Sequence, residues 1–186
     1  IQVHGGMGFM EETGAGQHYR DARITTIYEG TNGVQAMDLL GRKIVRDGGE
    51  AAQIFMAKVE KTIDQLDLKI ESHASLSKHL KDSIGALRET VDWMLDTFKL
   101  EPGYAAAGAT ALVEMMGLIS GGWMLARGAI EASRQISDGS GDPKFLSSKL
   151  VTARYFAEVH LSRASSLVGP IKNGGSCVMD FDAAQF

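Results

Sequence analysis

One short run near the N-terminus gathers residue types suited to acid–base work beside a bound anion. It reads Ile27-Tyr28-Glu29-Gly30-Thr31-Asn32-Gly33. Behind it, Val34, Met37, Leu40 and Ile44 start a helical stripe, so Thr31 or Asn32 suits the N-cap of a helix beginning near Gly33. The start of a helix attracts phosphate because its first N–H groups have no carbonyl partner. Glu29 stands just before that start, between an aromatic ring and a glycine that lets a ligand approach the backbone. In such a setting a glutamate can become a general base of useful strength. The same residues also fit a solvated loop glutamate that only helps to begin the helix.

A second candidate lies upstream, at Gln2-Val3-His4-Gly5-Gly6-Met7-Gly8. Adjacent glycines let backbone N–H groups approach an anion, though they also make ordinary turns. The Gly6-x-Gly8 pair is no dinucleotide fingerprint, since that motif needs a preceding strand and none is supplied here.

These loops must be carried by something, and the rest of the chain reads as long helices. Apolar positions recur at intervals of three and four through Phe55, Val59, Ile63, Leu66 and Ile70, within 51–70. The pattern returns at Leu76, Leu80, Ile84, Leu87, Val91, Met94 and Phe98, and after Pro102-Gly103 at Leu112, Met116, Ile119, Trp123, Ala126 and Ile130. A break at 137–142 precedes the fourth run: Leu146, Leu150, Ala153, Ala157, His160, Ala164 and Val168. Asp142-Pro143 suits a helix start, and Gly169-Pro170 suits a stop. Four such helices with short connections predict an all-α fold, an antiparallel four-helix bundle. The expected organisation is a loop-rich piece at 1–47, the bundle at 48–170 and an irregular tail at 171–186.

The bundle itself offers no chemistry. Di-metal bundles carry Glu-x-x-His pairs, whereas Glu158 and His160, like Glu71 and His73, are two apart and on different helix faces. No metal site is expected. His73 and His79 fall on polar faces of the pattern, His160 on or beside the apolar stripe, and Met115, Met116 and Met124 read as gap-filling core.

Composition narrows the function classes further. The 186 residues carry 19 basic and 23 acidic side chains, a formal charge of −4 that argues against a nucleic-acid surface. A single cysteine, Cys177, excludes a disulfide framework and favours a cytoplasmic protein. No apolar run suggests a membrane span. The chain opens on Ile1 inside what reads as a motif, so a fragment of a longer protein is expected.

Three segments taken together carry a family resemblance: Gln2-Val3-His4-Gly5-Gly6-Met7-Gly8-Phe9, Tyr19-Arg20-Asp21-Ala22-Arg23-Ile24 and Ile27-Tyr28-Glu29-Gly30-Thr31. In this order and spacing they resemble the C-terminal part of the flavin-dependent acyl-CoA dehydrogenases. The resemblance covers about the first 45 residues. The helical remainder looks like the extra C-terminal domain of a larger subgroup, similar to the 3-methylmercaptopropionyl-CoA dehydrogenases.

The resemblance implies α,β-dehydrogenation of an acyl-CoA thioester, with Glu29 as the base that removes the α-proton and FAD as the hydride acceptor. It places Tyr28 and Gly30 at the substrate, and Thr31, Asn32 and Gly33 at FAD. Gln2, Gly5 and Gly6 would contact the FAD of a neighbouring subunit, which implies a homo-oligomer, a dimer or tetramer. Electron-transfer flavoprotein is the implied electron acceptor. Many relatives have Ser or Ala and then Gln after the Thr; Asn32-Gly33 keeps the backbone contacts but removes that Gln side chain. The family's N-terminal helical and middle β-domains have no counterpart in these residues, so the chain by itself is expected to bind no FAD and to be inactive. The alternative is a non-catalytic helical module for oligomerisation or interaction on the same scaffold.

Overall fold

With three prolines and apolar stripes that run almost unbroken, residues beyond about 50 have little choice but helix. The computed structural model describes residues 1–185 and is all-α, with no strand among them. After two short 3₁₀ turns (Gln2–Phe9 and Glu11–Thr13) come α1 (Ala15–Ile24) and α2 (Asn32–Asp38), which runs on through a π-helical stretch, Leu39–Val45. The body follows as α3 (Glu50–Ile63), α4 (Glu71–Leu100), α5 (Pro102–Ala107), α6 (Ala109–Ser137) and α7 (Pro143–Tyr155). A π turn (Phe156–His160) and a 3₁₀ stretch (Leu161–Leu167) then lead into α8 (Val168–Met179).

The two long helices α4 and α6 lie against each other. Helix α3 packs on both, α7 covers them from another side, and α8 rests on α4 and α5. Leu76, Leu80, Leu87, Val91 and Met94 of α4 meet Leu112, Met115, Ile119 and Ala126 of α6 in one core of fully buried side chains. Ala36, Leu40 and Ile44 belong to the same core, so it runs without a break across residue 47.

Several expectations need correction. The first body helix stops at Ile63 instead of reaching Ile70, because the chain turns where His73 Nδ1 accepts the Asp67 N–H at 3.2 Å. His73 is therefore no surface residue: it is 2 % exposed, and its Nε2 lies 3.0 Å from Ser133 Oγ. Since Nδ1 accepts, Nε2 carries the hydrogen and donates to that hydroxyl. Met115 is buried as expected and Met116 packs against the core, but Met124 is exposed beside Arg127. Trp123 anchors the α3–α6 contact by donating from Nε1 to Thr62 Oγ1 at 2.7 Å, with its ring edge-on to Phe55.

Asp142 caps α7 as its type suggests, accepting the Lys144 N–H at 2.9 Å ahead of Pro143 in the first turn. Gly169-Pro170, in contrast, stops nothing. Pro170 falls in the first turn of α8, where its missing N–H would have had no helical partner. The segment 171–179 is helical, not irregular, and Gly175 has a packing reason: a Cβ there would come within 2.8 Å of Tyr104 O. The π turn also adds a residue to the stripe, so Leu161 is buried where His160 was expected. His160 sits half-buried beside the Tyr155 and Phe156 rings.

Helix α6 is long and apolar enough, by length and composition, to cross a membrane. Its apolar residues are interleaved with Gly and Ala on several faces, which hid this in the sequence pattern. Here the face bearing Leu112, Met115, Ile119 and Ala126 lines the core.

Candidate functional site

The Glu29 loop takes its form from how α1 ends and α2 begins. Backbone turns close α1, with the N–H groups of Ile27 and Tyr28 donating to Ile24 O at 2.9 and 3.1 Å. The chain then reverses through two residues of positive φ, Glu29 at 59° and Gly30 at 100°. Glu29 is the only non-glycine residue of positive φ among the described residues. This left-handed backbone costs a residue with a Cβ about 1–2 kcal/mol. Gly30 has no alternative: its φ disfavours a side chain, and a Cβ would stand 3.0 Å from Val34 Cγ1.

Thr31 is extended and forms the N-cap of α2, its carbonyl accepting the Gln35 N–H at 3.0 Å. Its side chain makes no capping hydrogen bond, so the hydroxyl and the first-turn N–H groups of Asn32 and Gly33 remain open to a ligand. The side chain of Gln35 closes the loop from the other direction. Its Nε2 donates to Glu29 O at 2.6 Å, tying the left-handed residue to the first turn of α2. Asn32 and Gln35 also line an open cavity of about 280 Å³ with Thr110, Val113 and Glu114 of α6.

Tyr28, Glu29, Gly30, Thr31, Asn32 and Gly33 are thus gathered in one exposed loop and helix start. The enclosure expected around Glu29 is not built by its neighbours, for Glu29 is exposed and Tyr28 is 54 % exposed. Gln2, Gly5 and Gly6 lie apart from this loop. They sit on the exposed 3₁₀ segment, and no hydrogen bond or ion pair among the described residues joins them to it. That arm is tied down locally. Thr13 Oγ1 donates to Met7 O and Met10 O, and Arg20 grips Glu11 through two bonds of 3.0 and 3.1 Å. The Arg20 guanidinium holds the Glu11 carboxyl below its ordinary value.

Among the described residues no three His, Cys, Asp or Glu side chains gather as metal ligands. Glu158 is engaged by Arg154 and Ser75, and Glu114 by Arg163 at 3.3 Å. Gln35 escaped the sequence reading. Its signal was its position, four residues after Thr31 and on the turn that follows the glutamate.

Two family models match the chain. Residues 55–182 match "Acetyl-CoA dehydrogenase C-terminal like", and residues 1–44 match "Acyl-CoA dehydrogenase, C-terminal domain". The chain belongs to the acyl-CoA dehydrogenase family. It is 38 % identical over 179 residues to 3-methylmercaptopropionyl-CoA dehydrogenase of Ruegeria pomeroyi, covering 96 % of this chain and 30 % of that protein. A broad-specificity linear acyl-CoA dehydrogenase of Mycobacterium tuberculosis is 31 % identical over 196 residues, covering 100 % of the chain and 32 % of the relative. The human mitochondrial short-chain specific acyl-CoA dehydrogenase is 56 % identical over 41 residues, only 22 % of this chain and 10 % of that protein. The chain therefore spans about a third of the length of its long relatives. The similarity of this family member to the first two extends through the helical body, whereas that to the human enzyme is confined to a short stretch.

Proposed function

We propose that this chain is the C-terminal portion of an FAD-dependent acyl-CoA dehydrogenase and that Glu29 is its catalytic base. The observation that carries the reading is the left-handed Glu29, held against an uncapped helix start. A residue kept in a costly backbone state on an exposed loop points to a demand other than folding.

In the reaction proposed, Glu29 takes the α-proton of an acyl-CoA thioester. The β-carbon gives up its hydrogen with the bonding electron pair, and a carbon–carbon double bond forms between the two. FAD, when bound, supplies the acceptor for that hydride. The Glu29 backbone N–H hydrogen-bonds the thioester carbonyl and so stabilises the charge that develops there. Gly30 leaves the substrate room, and Tyr28 flanks it. Thr31, Asn32 and Gly33 fit a flavin phosphate or hydroxyl, since the Thr31 hydroxyl is not spent on capping and Gly33 adds no bulk. Gln2, Gly5 and Gly6 serve the FAD of a second copy, which makes the enzyme a homo-oligomer. Gly5 and Gly6 suit close approach, with nothing within 4 Å of a Cβ at either. Electron-transfer flavoprotein is the proposed electron acceptor, and the cytoplasm the proposed location. Glu29 and Tyr28 are left exposed by the described residues, which supports the reading that this chain by itself is inactive.

The test is Glu29→Gln in the holoenzyme. Turnover should fall by at least about a thousandfold, in keeping with the loss of a general base and its driving force, while flavin stays bound. Retained turnover would place the base elsewhere. Flavin retained by the isolated chain would contradict its proposed incompleteness.

A further inference from the structure

No family motif quoted above includes Gln35, yet its side chain reaches back to the Glu29 loop, Nε2 donating to Glu29 O at 2.6 Å. The geometry points to Gln35 as a positioning residue that sets the Glu29 backbone for proton abstraction, and this rests on Glu29 being the base.

The left-handed conformation of Glu29 needs something to hold it, because a freely solvated loop would relax toward negative φ. Fixing the Glu29 carbonyl fixes the Glu29–Gly30 peptide plane. With Glu29 itself held at φ 59°, the directions of its N–H and of its Cα–Cβ bond are then set together relative to that plane. Those two groups bind the thioester carbonyl and carry the base in the proposed reaction. A clamp at this carbonyl therefore aligns both with one bond.

Gln35 can act as a clamp because it is itself anchored. Its neighbour Ala36 is 1 % exposed and, with Leu40 and Ile44, enters the core formed with α4 and α6. Thr110, Val113 and Glu114 of α6 face the Gln35 side chain across the 280 Å³ cavity, and α6 thus forms the wall behind it. The bond from Gln35 links the helical body to the loop that carries the base.

The test uses the holoenzyme with Gln35→Met, which keeps length and loses the donor, and Gln35→Glu, which presents an oxygen to the Glu29 carbonyl. In both, kcat should fall about 10- to 100-fold, the scale expected for a small misplacement of a reacting group. KM for acyl-CoA should stay within about twofold, with flavin content and melting temperature unchanged. The isotope effect of α-deuterated substrate on flavin reduction should rise, because proton abstraction has become the slow step. Wild-type kcat in both variants would overturn the inference, as would a loss carried by KM, flavin content or melting temperature. Glu29→Gln separates the two claims. If it retains turnover, the base assignment fails whatever Gln35 does. If it is inactive while Gln35→Met turns over normally, only the role of Gln35 fails.

Discussion

Residues 1–24 and residues 36–171 are both largely helical, but they differ in what their helices bury. In the body, Leu80, Leu87, Leu112, Met115 and Leu161 are fully enclosed. In the arm, Val3 is 100 % and Phe9 87 % exposed, Met7 and Tyr19 also face outward, and only Gly8 and Ala15 are buried. The elements of the arm pack chiefly against each other. Apolar surface gathered this densely on one part of a molecule marks a place for a partner surface. Helical backbone alone thus does not say whether a segment is self-sufficient. The body has its own buried core, whereas the arm leaves its apolar side chains exposed. The Glu29 loop lies at the join, exposed like the arm but carried by a helix rooted in the body.

The largest effect that could break this contrast is a core truncation. Leu112→Ala should destabilise the chain by about 3–5 kcal/mol through lost burial and a residual cavity. Phe9→Ala in the arm should change stability by less than about 0.5 kcal/mol, as for an exposed site. Paired denaturant melts check this, and equal costs would mean that the arm belongs to the same cooperative unit. A smaller difference separates two helix starts. Asp142→Ala removes a working cap and should cost about 1 kcal/mol, whereas Thr31→Ala removes a side chain that caps nothing and should be nearly silent in the isolated chain. A full capping loss at Thr31 would show that its hydroxyl serves folding instead of a ligand.

The smallest effect concerns pH. Arg134 first, then Gln135, hold the Glu131 carboxyl down from 4.5 to about 2. A folded value below the unfolded one means that its contribution is present above about pH 4.5 and is lost as pH falls toward 2. Glu131 is solvated, so the contribution is small. Melting curves of Glu131→Gln should fall slightly below the parent at neutral pH and converge with it near pH 2. A gap that widened in acid would contradict the sign.

The body was the more legible region because burial has a period. The stripes through α4 and α6 announced those helices nearly to their ends, and Asp142-Pro143 announced the start of α7. Deviations arose where tertiary contacts override local pattern. His73 looks polar in sequence, but two partners from elsewhere in the chain satisfy it inside the core. Gly169-Pro170 looks like a stop, but the change from 3₁₀ to α geometry puts the proline where a first turn tolerates it. One residue added by the π turn exchanged His160 for Leu161 in the stripe. At the site, residue types pointed to Glu29 and its glycine, and to Thr31 or Asn32 as the N-cap, which is Thr31. The left-handed φ and the Gln35 clamp were not legible, because neither leaves a periodic trace in the sequence.

The central claim is that the helix following the Glu29 loop is held by the body core while the arm is not. Segment-resolved hydrogen exchange of this chain tests it most directly. Amides of 36–45 should exchange about as slowly as those of α4, near the limit set by global unfolding, and amides of 1–24 should exchange orders of magnitude faster. Exchange of 36–45 together with the arm, or equal protection across all three segments, would contradict the account.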